Sequence, residues 1–356
     1  MEKKLKENVA IVTIISNNYG NRLQNYALQE TLKKLDAHVE TIPIRIKYDI
    51  KGKIKLWIKT VASGFIKKYS DVCWGIFDQN IKWSKYTIES SNISEHYNYF
   101  IAGSDQIWNP LFECNSDREF LTFTANEKKF VYAASIGLDE LPINEMNRYR
   151  KYISSFKNVS VREKTAADII ENLGCARPKV VLDPTMLLNE EDWKKIVNQS
   201  KLRIKGRYVV AYFLGIRTAE YDAYITQKSI EMKADLIDIA QLPQDQKRKI
   251  GPAEFVSLVY YSEAVFTDSF HGTVFSILFH KPFIVFERPY EDGYGKMSSR
   301  LDTLLETFEL EKHRVSCMEQ LSKIQMDCDS SKVNEILEKR KKDSVNFLRE
   351  ALNRQE

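Results

Sequence analysis

The sequence predicts an α/β protein built from two parallel-sheet domains. Apolar strand-like runs alternate with amphipathic helical patterns along nearly the whole chain. A polar, charged segment from Asn189 through Lys205 interrupts that alternation near the middle, and the alternation then resumes. The expected domains are residues 1–190 and 191–356, the second ending in a long helix.

Val9 to Ile15 is a continuous apolar run, as in a strand buried on both faces. A polar turn follows, Ser16 to Asn21, with Gly20 inside it. Leu23, Tyr26, Ala27, Thr31, Leu32 and Leu35 then recur at helical spacing, which predicts a helix over 22–35. Val39 to Ile46 reads as the second strand. This opening lacks the GxGxxG pattern, so no dinucleotide cofactor is indicated. Further strands are predicted at 97–102, 130–135, 158–161 and 179–182. A helix at 163–173 is closed by Gly174. The polar segment holds one helix, 190–197.

In the second half, strands are predicted at 208–214, 235–240, 263–266 and 282–286. Helices are predicted at 218–234, 252–261, 274–280, 300–308 and 333–352. The helix at 252 carries proline in its first turn, where proline is tolerated. Two Rossmann-like domains facing a cleft make a GT-B-like architecture. Ligands would lie between the carboxyl ends of the two sheets.

The chain has 356 residues, enough for two cores, with 43% hydrophobic and 29% charged residues. A net charge of +4 is too weak a bias for nucleic-acid binding. Cys73, Cys114, Cys175, Cys317 and Cys328 form no CxxC pair and read as reduced thiols. The histidines show no metal-ligand spacing. Met1 to Asn8 is charged and the apolar run after it is short, which reads as a strand and not a signal peptide. No run is long and apolar enough to span a bilayer, so a cytoplasmic location is expected.

The sequence is organised around Thr267 to Phe275, TDSFHGTVF. It reads as a tight strand-to-helix turn at the carboxyl end of a parallel strand. Helix-opening N–H groups there favour an anion. Ser269 and Thr273 add hydroxyls, and Gly272 permits close approach because it has no Cβ. His271 is the side chain that exchanges a proton near neutral pH. A capping histidine that binds nothing is the competing reading.

Two turns of the first half carry polar groups suited to sugar hydroxyls. Asn18, Asn21 and Gln24 follow the first strand. Ser104, Asp105, Gln106, Trp108 and Asn109 follow the strand at 97–102, and Trp108 offers a flat ring. The alternatives are that Asn21 only caps a helix and that Trp108 only covers the core. Arg162, Arg217, Arg288 and Arg300 follow strands or open a helix, and a guanidinium pairs with phosphate or carboxylate. Arg300 and Arg288 are the candidates for an anion clamp beside His271.

Taken together, NYGNRLQNYAL (18–28), GSDQIWNP (103–110), AASIG (133–137), VREK (161–164), LDPT (182–185) and TDSFHGT (267–273) resemble the polysaccharide pyruvyl transferase family. The match covers most of the chain in order. The resemblance implies a GT-B-like fold and transfer of the enolpyruvyl-derived unit of phosphoenolpyruvate to a sugar, giving a ketal and phosphate. It implies His271 as the catalytic histidine and needs no metal or organic cofactor. In one branch of the family an arginine stands two residues before that histidine, where this chain has Ser269. Donor binding then falls on Ser269, Gly272, Thr273, Arg288 and Arg300. Acceptor binding falls on Asn18, Asn21, Gln24, Ser104, Asp105, Gln106 and Asn109.

The expected partners are phosphoenolpyruvate and a sugar of a surface or capsular polysaccharide precursor. The rival readings are a nucleotide-sugar glycosyltransferase of the same fold and a non-catalytic glycan-binding protein. Lys51 to Tyr69 is basic and amphipathic, with Ile54, Trp57, Ile58, Val61 and Phe65 on one face. That pattern suits a helix at the inner face of the cytoplasmic membrane, next to a lipid-linked acceptor. A core-facing helix is the commoner outcome for such a stretch.

Overall fold

The computed structural model describes residues 6–44, 67–90, 92–112, 115–243, 246, 249–288 and 298–352. Residues 51–66, and with them most of the basic amphipathic stretch, lie outside the described residues.

The first domain is a six-stranded parallel sheet, in the order β2-β1-β3-β4-β5-β6. Its strands are β1 (Asn8–Ile14), β2 (His38–Ile44), β3 (Tyr99–Ala102), β4 (Lys129–Ala134), β5 (Val159–Val161) and β6 (Lys179–Val180). Among its helices are α1 (Tyr19–Lys34), α2 (Lys67–Asp78), α3 (Ile143–Ile153) and α4 (Lys164–Asn172). Helix α5 (Glu190–Val197) leads out of it. The second domain is a five-stranded parallel sheet, in the order β11-β10-β9-β7-β8. Its strands are β7 (Tyr208–Tyr212), β8 (Asp235–Asp238), β9 (Val265–Thr267), β10 (Phe283–Phe286) and β11 (Arg314–Val315). Its helices include α6 (Ala219–Glu231), α7 (Pro252–Tyr261), α8 (Phe270–Leu278) and α9 (Ser299–Thr307); α10 (Ser330–Ala351) follows. The two-sheet, GT-B-like architecture is the one expected. Helices α2 and α3 and strand β11 were not expected. Among the described residues no helix is long and apolar enough to cross a membrane.

Each sheet reverses its winding once. The first does so between β1 and β3, the second between β7 and β9. Such a switch point splays the two following loops apart and opens a crevice at the strands' carboxyl ends. The loops after β1 and β3 carry residues 15–18 and 103–109, and the loop after β9 leads to His271. The topology therefore brings these turns to the crevices.

A continuous apolar seam fixes the two domains together. Tyr19, at the start of α1, stacks on Trp74 of α2 at 5.3 Å and on Phe255 of α7 at 4.9 Å. Trp193 of α5 meets Tyr26 of α1 at 5.7 Å and Phe275 of α8 at 4.9 Å. Buried aromatic pairs of this kind add to the stabilisation from area alone. Helix α10 returns to the first domain instead of staying with the second sheet. Phe347 lies 6.2 Å from Tyr132 of β4, and the Ser344 hydroxyl accepts from the Leu182 N–H at 3.0 Å.

Candidate active site

Two helix ends meet at the junction. Asn18 caps α1, its side chain accepting from the Gly20 N–H at 2.8 Å. Ser269 caps α8, its hydroxyl accepting from the Gly272 N–H at 3.4 Å. Because Ser269 takes the cap, α8 begins at Phe270, four residues before the expected start, and His271 sits inside its first turn. Neither first turn contains an acidic residue, so no side chain there neutralises the positive helix end. The two turns touch. A Cβ on Gly20 would overlap the His271 ring, which leaves glycine as the residue that fits.

His271 is 7% exposed, and its Nε2 is buried without a hydrogen-bond partner among the described residues. Asp183 Oδ1 lies 3.8 Å from that nitrogen, close in charge but beyond hydrogen-bond length. Asp183 follows β6 and is held firmly. Its Oδ1 accepts from the Thr185 N–H at 3.0 Å and the Thr185 hydroxyl at 2.7 Å. Its Oδ2 accepts from Arg162 Nη1 at 2.7 Å. Arg162 donates through Nη2 to Asp105 Oδ1 at 3.1 Å, and its guanidinium covers the Phe270 ring at 4.2 Å. Asp105 also accepts from the Asn21 amide. The neighbouring Glu163 Oε1 accepts from the Ser135 hydroxyl and from the Ile136 and Gly137 N–H groups.

Burial alone would push Asp105 and Asp183 up. For Asp105 the charges of Arg162, His271 and Arg300 outweigh it, and the carboxyl is held below its usual value. For Asp183 contact with His271, then Arg162 and Thr185, does the same more strongly. A depressed carboxyl stabilises the fold above its unfolded value, about 3.9, and that stabilisation is lost as the pH falls below it. The melting temperature should therefore drop from roughly pH 4 downward. In Asp105→Asn it should start lower at pH 7 and fall less steeply in acid. Equal acid slopes in calorimetry would remove this network as the cause.

Arg300 lies in the first turn of α9. Its Nε is buried and has no hydrogen-bond partner among the described residues. Burial and the Arg162 guanidinium lower its pKa to about 10. The other candidate arginines are already engaged. Arg288 Nε donates to Asp268 Oδ2 at 2.7 Å, and Arg217 pairs with Asp222 at 2.8 Å and with Asp238.

Several expected roles are corrected by this geometry. Gly272 does not open space for a ligand, since its missing Cβ would meet Thr267 Oγ1 at 2.5 Å. The Thr273 hydroxyl donates back to the Ser269 carbonyl at 3.0 Å. Gln24 is fully buried, donating to Thr13 Oγ1 at 2.9 Å and accepting from the Ser104 N–H at 3.1 Å. Ser104 is equally buried, and its hydroxyl donates to the Ala133 carbonyl at 2.9 Å. Asn109 is buried and donates to Gln106 Oε1 at 2.8 Å. Trp108 is no sugar platform. It stacks on Phe120 at 5.4 Å inside the core and donates to the Glu119 carbonyl. Asn21 is not the cap of α1 but a brace for Asp105. Asn18 and Gln106 remain partly exposed on the first-domain turns.

Sequence reasoning passed over Asp183, Glu163 and Gly20. The first two closely follow β6 and β5, and the carboxyl-end rule that singled out His271 would have found them.

Among curated proteins no sequence match is found. The chain is similar to the solved UDP-N-acetylglucosamine 2-epimerase of Rickettsia bellii, at 10% identity over 97% of this chain and 96% of that one, TM-score 0.49. It is similar to the Methanocaldococcus jannaschii UDP-GlcNAc 2-epimerase, at 12% identity over 94% and 99%, TM-score 0.47. It is similar to the E. coli ADP-heptose LPS heptosyltransferase II, at 11% identity over 94% and 99%, TM-score 0.43. Likenesses at this level speak to no activity. The sequence pattern of polysaccharide pyruvyl transferases, however, matches residues 18–289, a span running from the cap of α1 through Asp105, Arg162, Asp183 and His271 to Arg288. A match over that much of the chain, taking in both facing helix ends, shows that this protein belongs to the polysaccharide pyruvyl transferase family and is a transferase.

Proposed function

We propose that the chain moves the pyruvyl unit of phosphoenolpyruvate to two hydroxyls of a sugar in a surface or capsular polysaccharide precursor. The observation that carries this reading is Arg300, whose buried Nε has no hydrogen-bond partner among the described residues, in the same charged cluster as two facing helix ends with His271 between them. Phosphoenolpyruvate is a compact polyanion. Helix ends and Arg300 suit its phosphate and carboxylate, with the buried Ser269 hydroxyl and the half-buried Arg288 as further donors. His271 serves as the proton donor to the methylene carbon. A sugar hydroxyl then adds to the adjacent carbon, phosphate leaves, and a second hydroxyl closes the ketal. Asn18 and Gln106, on the first-domain side, meet the acceptor. An acceptor carried on a lipid would bring the protein to the inner face of the cytoplasmic membrane.

The test is a thermal-shift panel of phosphoenolpyruvate, UDP- and CMP-sugars, and sugars alone, followed by mass spectrometry of products. Phosphoenolpyruvate at a hundred times its Kd should stabilise the fold by about 2.7 kcal/mol. A shift with a nucleotide sugar and none with phosphoenolpyruvate would replace this reading with glycosyl transfer.

A further inference from the structure

The ring of His271 has two nitrogens, and the first domain treats them differently. Nε2 is buried and points toward Asp183, whose Oδ1 is 3.8 Å away. The Nδ1–Cε1 edge lies over Gly20, at the capped end of α1. Asp183 is braced by Thr185 and Arg162, so a small turn of the ring is what would bring Nε2 within hydrogen-bond reach.

We propose that Asp183 holds the Nε2–H of His271, and that Nδ1, seated over Gly20, is the nitrogen that exchanges a proton with the substrate. Asp183 and Gly20 are then positioning residues supplied by the first domain to a histidine of the second. The substrate step rests on the pyruvyl-transfer reading; the assignment of the ring nitrogens does not.

Electrostatics supports the assignment. The charged groups of the cluster are Asp183, Asp105, Arg162 and Glu163 from loops of the first sheet and Arg300 from α9. Within 4 Å of Nε2 stands a carboxylate oxygen, Asp183 Oδ1. A carboxylate attracts an N–H and repels a nitrogen lone pair, so the neutral ring keeps its proton on Nε2 and its lone pair on Nδ1. The imidazolium then donates from Nδ1. The N–H bonding pair stays on the ring, and the C=C π pair of phosphoenolpyruvate forms the new C–H bond. The electron-poor C2 takes an oxygen lone pair from the first hydroxyl, whose proton returns to Nδ1. The C–O bond to phosphate then breaks with its pair on the phosphate oxygen. The second hydroxyl adds to C2 and its proton leaves with the phosphate.

The test uses the full chain with its histidine rings labelled with nitrogen-15. Long-range proton–nitrogen correlation reports the tautomer, and the His271 signal is assigned by its loss in His271→Gln. The expected spectrum of the neutral ring is Nε2–H, with Asp183→Asn shifting population toward Nδ1–H. An Nδ1–H tautomer in the unsubstituted protein overturns the proposal, and so does an unchanged tautomer in a folded Asp183→Asn. Because the first of these needs no substitution, failure of Asp183→Asn to fold leaves the test intact. Gly20→Ala should lower kcat by about 100-fold, the scale for a misplaced reacting group, with KM for phosphoenolpyruvate within a few-fold. Full kcat in Gly20→Ala overturns the seat. An Nε2–H ring in a protein inert to phosphoenolpyruvate would count against pyruvyl transfer and leave the nitrogen assignment standing.

Discussion

His271→Ala is expected to stay folded and to lose turnover with phosphoenolpyruvate by about two to four orders of magnitude, the scale of general acid–base catalysis. The imidazole Nε2 has no hydrogen-bond partner among the described residues, so its removal takes from Asp183 a charge contact at 3.8 Å and leaves that carboxylate's other partners in place. Asp183 keeps Arg162 and Thr185, and Ser269 keeps the cap of α8. The loss should fall on kcat, because helix ends and Arg300 still receive the donor. Rates would be measured by phosphate release, with circular dichroism confirming the fold. Activity surviving within a few-fold would make His271 a packing residue and end the acid role.

Arg300→Ala should weaken phosphoenolpyruvate binding by roughly 1.5–3 kcal/mol, as for a hydrogen bond to a charged group. Arg300 is the candidate clamp residue without a carboxylate already paired to it among the described residues. Its charge is costly while it waits, since burial and Arg162 both oppose it. An anion would relieve that cost. Arg300→Lys should restore binding only in part, because an ammonium cannot make the paired contact. Calorimetric titration decides the matter, and unchanged affinity in Arg300→Ala would move the anchor to Arg162 or Arg288. Residue 300 lies beyond the span that matches the family, so its role stands on the geometry alone.

The strand–helix alternation was legible because parallel strands are apolar throughout and helices repeat every 3.6 residues. His271 was legible because the one side chain of a strand-to-helix turn that exchanges a proton near neutral pH stood at its centre. The direction of a side chain was not. Trp108 reads the same whether it faces a sugar or Phe120, and only the packed fold turns it inward. The two glycines exchanged meanings for the same reason. Gly272 fits against Thr267 of its own turn, whereas Gly20 makes room for a histidine about 250 positions later in the chain. The place of Asp183 at the end of β6 was open to the same rule, but its pairing with His271 exists only once two domains are set face to face, a contact no local pattern encodes. Helix α3 was overlooked because its buried side is narrow, resting on Tyr149 and Ile153.

The return of α10 to the first sheet has a consequence for biosynthesis. Phe347, Leu348 and Ala351 bury themselves in the core shared with Tyr132 and Leu182. A nascent chain holding only the first 200 or so residues therefore emerges from the ribosome with that flank of its sheet bare. Domains ordinarily fold as they emerge, N-terminal first. Here the flank of the first sheet is covered only after residues 330–351 have been made and have docked on it, so the first half closes later than its place in the chain would suggest.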